Sequence, residues 1–469
     1  MALSRAATVR ERWCLTPFAL SIKTDTMNQP EINETSRRQF LKTSSTAVIS
    51  GTLAAPFIFA SSSRAASPGD VLKVGLVGCG GRGNGAVADT MASDKNTVLH
   101  AMADIQATKI ETGLRALRDA LQDDSRIEVP SERKFVGLDA FEKVINSGVD
   151  VVLLATPPGF RPLHFKAAVE AGKHTFLEKP IATDTTGVRL VRATALEAKR
   201  KGLAVQSGFC WRANAARREF FKRLHGGAIG DVRALYHTYL TGPVKPMPAP
   251  DTRPAAMGDV EWQLRNWYNF VWLCGDGLVE QAVHSIDKMS WAMKDVPPLK
   301  CTAIGGRQTA NHEGNIYDHI EVNYEWADGV RGFMAQRQIP GCHSETKDYI
   351  LGAKGSGLLG GRRGAEITGE QDWRYEGEPT ENQLFGKMYQ VEHADFYESI
   401  RKGKPLNDGE HMCNSTLMAI MGRMAAYTGQ EVTWEQALNS QEKLFPDNLD
   451  WNMKLPVAPL AMAGKTKFI

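Results

Sequence analysis

The sequence predicts an α/β protein in two parts, and three observations carry the prediction. Between residues 70 and 209, short β-branched apolar runs alternate with helical stretches, as a parallel sheet with crossover helices requires. From residue 210 the pattern changes to strand-like runs separated by glycine turns. The chain has 469 residues, 42% hydrophobic, 23% charged and 8% aromatic. That is ordinary soluble composition, with enough material for a core in each part.

The N-terminal 66 residues read as a delivery address. "SRRQFLK" (36–42) precedes an uncharged stretch of modest apolarity and then small residues. This order of regions is that of a bacterial twin-arginine export signal. A chance Arg-Arg pair in a disordered tail is the plainer alternative, and the order of regions favours the signal. Met27 is a candidate true start, and cleavage is expected near Ala65 or Ala66. Gly51, Pro56 and the interspersed Ser and Thr make the stretch a poor membrane span. The mature chain is therefore expected to be periplasmic or secreted, with the twin-arginine machinery as a partner and no stable span. The formal charge is +3 with no long basic run, so no nucleic-acid partner is expected. Seven cysteines are scattered without a CxxC pair or zinc spacing, and read as free thiols.

"VLKVGLVGCGGRGNGAVADTMAS" reads as a strand, a glycine turn and a helix. Gly78, Gly80 and Gly83 form GxGxxG, with Gly81 and Arg82 inside the loop. The first glycine permits the turn, the second admits a pyrophosphate, and the third lets helix and strand pack closely. "TVLHAMAD" then reads as a second strand ending at Asp104, placed to accept from a ribose 2′-hydroxyl. Together these predict a Rossmann dinucleotide-binding domain over 70–209. Asp104 favours NAD, because a carboxylate repels the 2′-phosphate of NADP; nearby Lys109 leaves NADP open. Later strands end at Thr156-Pro157, at Glu178-Lys179 and at Phe209–Arg212. Ligands lie at such strand ends, so Thr156, Pro157, Glu178 and Lys179 are cofactor-side candidates and Arg212 is a substrate-side one.

In the second part, "HIEVNYEWADGVRGFMAQRQ" reads as a hairpin turning at Asp328-Gly329. "GPVKPMPAPDTRPAAMG" is an extended proline-rich loop, read equally as linker or as lid or subunit contact. Trp262, Trp267, Tyr268 and Trp272 could stack on a sugar or fill the core, and most are expected in the core. Arg265 is a substrate-contact candidate. "GLVEQAVHSID" (277–287), read as one helix, puts Glu280, His284 and Asp287 on one face. By residue type they suit metal binding, catalysis or solvation; a fourth strong ligand is missing nearby, so no metal is expected.

The glycine loop, "ATPP…H…A…AGKH", Glu178-Lys179-Pro180 and the His-x-x-Asp segment together resemble the Gfo/Idh/MocA (glucose–fructose oxidoreductase/inositol dehydrogenase) family. The resemblance runs from about Leu72 to "AAYTGQEVTWEQAL", nearly all of the mature chain. It implies a Rossmann domain followed by an α/β domain (210–455) with a large, mostly antiparallel sheet, the substrate lying between sheet and nicotinamide. It implies that Lys179 and His284 handle the proton of a reacting hydroxyl. Glu280 stands where the family has a shorter acid and Ala282 where it has glycine. Asp287 aligns with the motif's last acid and is a substrate-side candidate. The expectation is an exported NAD-dependent oxidoreductase acting on a sugar, sugar derivative or polyol, with tightly held cofactor and a homo-oligomeric state. A glycosidase working by transient oxidation, and a non-catalytic carbohydrate-binding protein, are the alternatives.

Overall fold

The computed structural model describes residues 69–122, 125–309, 313–360, 364–377 and 387–469. The N-terminal 66 residues, read as an export signal, lie outside the described residues.

Six parallel strands form the first sheet: β1 (Leu72–Val77), β2 (Thr97–Asp104), β3 (Lys134–Val136), β4 (Val151–Leu154), β5 (His174–Leu177) and β6 (Val205–Ser207). Their order is β3-β2-β1-β4-β5-β6. The chain thus reverses direction between β1 and β4, and a crevice opens there at the strand C-termini. Helices α1 (Gly81–Ser93), α2 (Ala107–Leu121), α3 (Ala140–Ile145), α4 (Arg161–Glu170) and α5 (Thr185–Arg200) connect the strands. β1 and β4 are almost wholly buried and correspondingly apolar, as strands covered on both faces must be.

After α6 (Ala215–His225), nine strands form the second sheet. They are β7 (Val232–Thr241), β8 (Lys300–Gly306), β9 (His319–Glu325), β10 (Arg331–Gln338), β11 (Asp348–Gly352), β12 (Gly355–Leu359), β13 (Ala365–Gly369), β14 (Trp373–Arg374) and β15 (Val432–Thr433). The order is β14-β13-β12-β11-β7-β10-β9-β8-β15. All pairs are antiparallel except β7 with β10. Side chains on β9 and β10 alternate between buried and partly exposed, giving the sheet one covered face. The proline-rich stretch contains no strand and leads into α7 (Asp259–Arg265) and α8 (Val271–Cys274).

Two features depart from the sequence reading. The 277–287 stretch is not one helix. α9 (Gly277–Glu280) stops, and α10 (Val283–Ala292) begins after a break at Gln281-Ala282. In addition, α11 (Met388–Arg401), expected in the second domain, packs on α1. Its Phe396, Tyr397 and Ile400 join the core of the first sheet with Leu76, Met102 and Leu114. The next helix, α12 (Gly409–Thr428), is buried over nearly its whole length and packs on α5, α10 and β8, joining the two sheets. Its Arg423 is fully buried and donates to the Thr183 carbonyl at 2.6 Å.

The α11 seam makes a testable pH device. His393 is fully buried, stacks on Phe176 at 4.2 Å, and shares a hydrogen bond with Thr90 Oγ1 at 3.1 Å. Burial, reinforced by the Arg82 charge, holds its pKa down to about 3 from 6.5. Below about pH 6.5 the unfolded chain binds a proton here that the folded chain refuses, so this contribution falls as pH falls. His393→Leu should remove that dependence. In denaturant melts its stability relative to wild type should improve by about 2 kcal/mol between pH 6.5 and 5. An unchanging difference across that range would contradict the assignment.

Candidate active site

The glycine loop is built by close approach. Gly78 has φ +99°, and a Cβ there would lie 2.7 Å from the Ala155 carbonyl carbon. A Cβ on Gly83 would lie 2.0 Å from the Gly78 oxygen, so glycine is what lets α1 seat against the turn. Gly80 and Gly81 differ: no atom lies within 4 Å of a Cβ on either. They face a cleft of about 360 Å³ that opens above the loop. Gly83→Ala should therefore destabilise the fold by about 2 kcal/mol or more. Gly80→Ala should leave stability intact and weaken NAD binding by about tenfold. Melting curves and NAD titration separate the two, and equal effects at both positions would contradict the cradle.

Asp104 ends β2 at the floor of this cleft. Its Oδ2 accepts from Cys79 N at 2.8 Å and its Oδ1 from Gln106 N at 2.9 Å. Burial pushes its pKa up and these backbone donors push it back. The orientation leaves acceptor capacity toward the cleft. Thr156, Pro157 and Arg82 also line it. Open glycines, the uncapped start of the 13-residue α1 and an oriented acid fit a dinucleotide. Gly78–Gly83 would hold its pyrophosphate and Asp104 its ribose.

The second domain covers the same cleft. Lys245 from the proline-rich loop, with Arg265, Trp267 and Tyr268, lines its far wall. Arg265 was expected on the substrate. It instead donates to Glu261 Oε1 at 2.9 Å and Gln106 Oε1 at 3.3 Å, which puts it beside Asp104. Trp262 and Trp272 are core, packed with Phe160, while Trp267 and Tyr268 stack at 3.9 Å on the cleft wall.

The helix break brings Glu280 onto Lys179. His284 N, which on a continuous helix would take the Glu280 carbonyl, reaches Gln281 O at 3.4 Å. The freed Glu280 carbonyl accepts from Lys179 Nζ at 2.6 Å, and Glu280 Oε1 lies 3.4 Å from the same ammonium. Both side chains are largely buried. Four residues on, His284 lies edge-on to Trp211 at 6.3 Å, its Nδ1 buried without a hydrogen-bond partner among the described residues. Burial, then the charges of Lys179 and Lys288, hold its pKa well below 6.5. Both effects favour the neutral imidazole.

Three expected site residues are occupied elsewhere. Arg212 donates from Nε and Nη2 to Asp287 at 2.8–3.0 Å and also binds Asp295. Asp287 is 1% exposed and additionally accepts from Ser415 Oγ at 2.8 Å. The break turns α10 so that Asp287 faces α12, away from Glu280. These two residues form a buried ion pair, not a substrate contact. Glu178 is 5% exposed and lies 3.0 Å from Arg82 Nε. It ties to the glycine loop through Arg82, and Glu178, Lys179, Glu280 and His284 all lie outside the lining of the cleft.

Other residues at the site escaped the sequence reading. Arg161 is buried and donates to the Pro180 carbonyl at 2.6 Å, bracing the turn that carries Lys179. Tyr239 Oη donates to Gln281 Oε1 at 3.0 Å, and Gln281 Nε2 lies 3.5 Å from Tyr268 Oη. The signal of Gln281 and Tyr239 was faint, one glutamine in the quoted motif and one tyrosine in a strand-like run, whereas Tyr268 is among the aromatics the sequence singles out. Among the described residues, no three His, Cys, Asp or Glu side chains gather as a metal site, and no helix is long and apolar enough to cross a membrane.

Comparison with known proteins agrees with this geometry. A family model described as an oxidoreductase family with NAD-binding Rossmann fold matches residues 72–209. Inositol 2-dehydrogenase 3 of Saccharopolyspora erythraea is 26% identical over 270 residues, covering 55% of this chain and 68% of its own. A glycosyl hydrolase family 109 protein of Streptomyces coelicolor is 28% identical over 173 residues, covering 36% of this chain and 34% of its own. Among solved structures, levoglucosan dehydrogenase with NADH and levoglucosan superposes with a TM-score of 0.63 at 19% identity, over 78% of this chain and 99% of that one. The last is a likeness of fold: the same pairing of a parallel dinucleotide sheet with a mostly antiparallel one. The match over residues 72–209 is to the Gfo/Idh/MocA model, the family that the glycine loop and Glu178-Lys179-Pro180 resemble.

Proposed function

We propose that the protein is an exported NAD-dependent oxidoreductase acting on a hydroxyl-bearing carbon of a sugar, sugar derivative or polyol. The observation that carries this reading is the contact of Lys179, two residues past the end of β5, with Glu280, four residues before His284, whose imidazole feels the Lys179 charge. The resemblance to inositol 2-dehydrogenase supports the substrate class.

The residues divide the work. Bound nicotinamide supplies a hydride acceptor. Neutral His284 takes the hydroxyl proton, since a protonated imidazole could not. The Lys179 ammonium stabilises negative charge growing on the same oxygen. Glu280 holds that ammonium through its carbonyl and carboxylate. The second-domain wall of Lys245, Trp267 and Tyr268 limits solvent in the cleft.

The assay is NADH formation by the purified mature chain with neutral polyols and sugars, beginning with myo-inositol. His284→Ala should lower kcat by about 10²-fold or more. Retention of full activity when Lys179 and His284 are both replaced by alanine would leave a binding protein as the reading. Glycoside hydrolysis by transient oxidation is the second reading, favoured by the family 109 relative. Release of a chromogenic aglycone without net NADH would select it. Export rests on the Arg37-Arg38 segment and predicts that replacing both with lysine blocks periplasmic delivery. A tightly held cofactor predicts nucleotide in the mass spectrum of the purified protein after denaturation.

A further inference from the structure

We infer that Gln281 is a positioning residue that clamps the Glu280 carboxylate onto Lys179. The inference rests on the reading of Lys179, Glu280 and His284 as the reacting set. Adjacent side chains on an unbroken helix diverge by about 100° and do not meet. Here they meet, because Gln281 sits at the break, with φ −103° and ψ −57°. Ala282 N reaches back to Gly277 O at 3.1 Å, which marks the local unwinding.

The amide is read from both sides. Gln281 Nε2 donates to Glu280 Oε2, while Gln281 Oε1 accepts from Tyr239 Oη at 3.0 Å. Burial and the Glu280 charge push the Tyr239 phenol up, so it keeps the proton it donates. Turning the amide over would set its oxygen against the carboxylate, so the network fixes one orientation. Tyr239 is itself fixed, lying on β7 paired with Gln336 of β10 in the interior of the second sheet. The chain of contacts therefore runs from that sheet through Tyr239 and Gln281 to Glu280 and Lys179. Tyr268 Oη, on the cofactor cleft, lies 3.5 Å from the same Nε2.

This answers how a glutamate serves where the resembled family has a shorter acid. The extra methylene adds a rotatable bond, and its carboxylate has more positions open to it. Gln281 removes that freedom. One carboxylate oxygen is held by the amide, leaving the other 3.4 Å from the Lys179 ammonium. The hydrogen bonds of Gln281 among the described residues go to Glu280, Tyr239 and Tyr268, so its effect on Lys179 passes through Glu280.

The test uses the mature chain with NAD bound. Gln281→Met keeps length and near-equal volume while deleting both amide atoms, and Tyr239→Phe removes only the far donor. Crystal structures should show the Glu280 carboxylate displaced from Lys179 in Gln281→Met and partly displaced in Tyr239→Phe. With myo-inositol as probe, kcat should fall about 10-fold or more in Gln281→Met with NAD affinity unchanged. Gln281→Glu, which sets a second carboxylate against the first, should move the acid limb of the pH–rate profile to higher pH by about one unit. An undisturbed Glu280–Lys179 contact in Gln281→Met overturns the inference, whatever the activity. A displaced carboxylate with unchanged kcat supports the clamp and overturns instead the catalytic reading of Glu280.

Discussion

Lys179→Met is expected to lower kcat by about 10³-fold while NAD affinity changes little. The expectation follows from where the ammonium sits. Its three donors are its sole means of bonding, and the Glu280 carbonyl takes one at 2.6 Å. The carboxylate stands at 3.4 Å, which leaves donor capacity for a reacting oxygen. A cation in a site that is only 11% exposed acts on that oxygen with little solvent screening. Among the described residues the Lys179 ammonium bonds Glu280, while Asp104 bonds Cys79 and Gln106, so the glycine loop and Asp104, which would hold the dinucleotide, should be undisturbed. Methionine preserves the aliphatic stem, so packing loss is small. Steady-state kinetics with NAD titration would check this. A raised KM with unchanged kcat would mean Lys179 merely binds substrate.

Asp348→Ala should cost about 3–5 kcal/mol of stability. Asp348 is 1% exposed on β11. Burial alone would raise its pKa, but the Lys288 ammonium and His237 overcome that and hold it well below the usual carboxylate range. Lys288 donates to Oδ2, and His237 Nδ1 lies 3.1 Å from Oδ1. Removing the carboxylate strands a lysine that is 2% exposed. Replacing both partners, as Lys288→Met with Asp348→Leu, should cost markedly less, because no charge is then left buried. Additive losses in urea melts would contradict this. Lys288 lies one turn beyond His284 on α10, and its charge helps keep that imidazole neutral. The same ion pair therefore bears on both fold and site.

Local features of the fold were legible and distant ones were not. The GxGxxG turn and Asp104 could be read because the strand, turn and second strand that use them lie within one short segment. The break after Glu280 could not. The Glu280 carbonyl leaves the helix ladder for a lysine 101 residues earlier. The Arg212–Asp287 pair, 75 residues apart, took two polar candidates out of the site for the same reason. Nothing local to α11 names its partner, which is α1 in the other domain. Gln281 stood in the motif from the start, but an amide at a helix position reads as surface until a break turns it inward.

Isotope tracing tests the central claim most directly. The mature chain is incubated with NAD and a polyol deuterated at each hydroxyl-bearing carbon, myo-inositol first, and the nicotinamide ring is examined by mass spectrometry. The geometry predicts deuterium on the ring, lost when Lys179 is replaced by methionine. A ring that stays unlabelled across a panel of deuterated sugars and polyols, with NAD demonstrably bound, would contradict hydride transfer at the Lys179–His284 site.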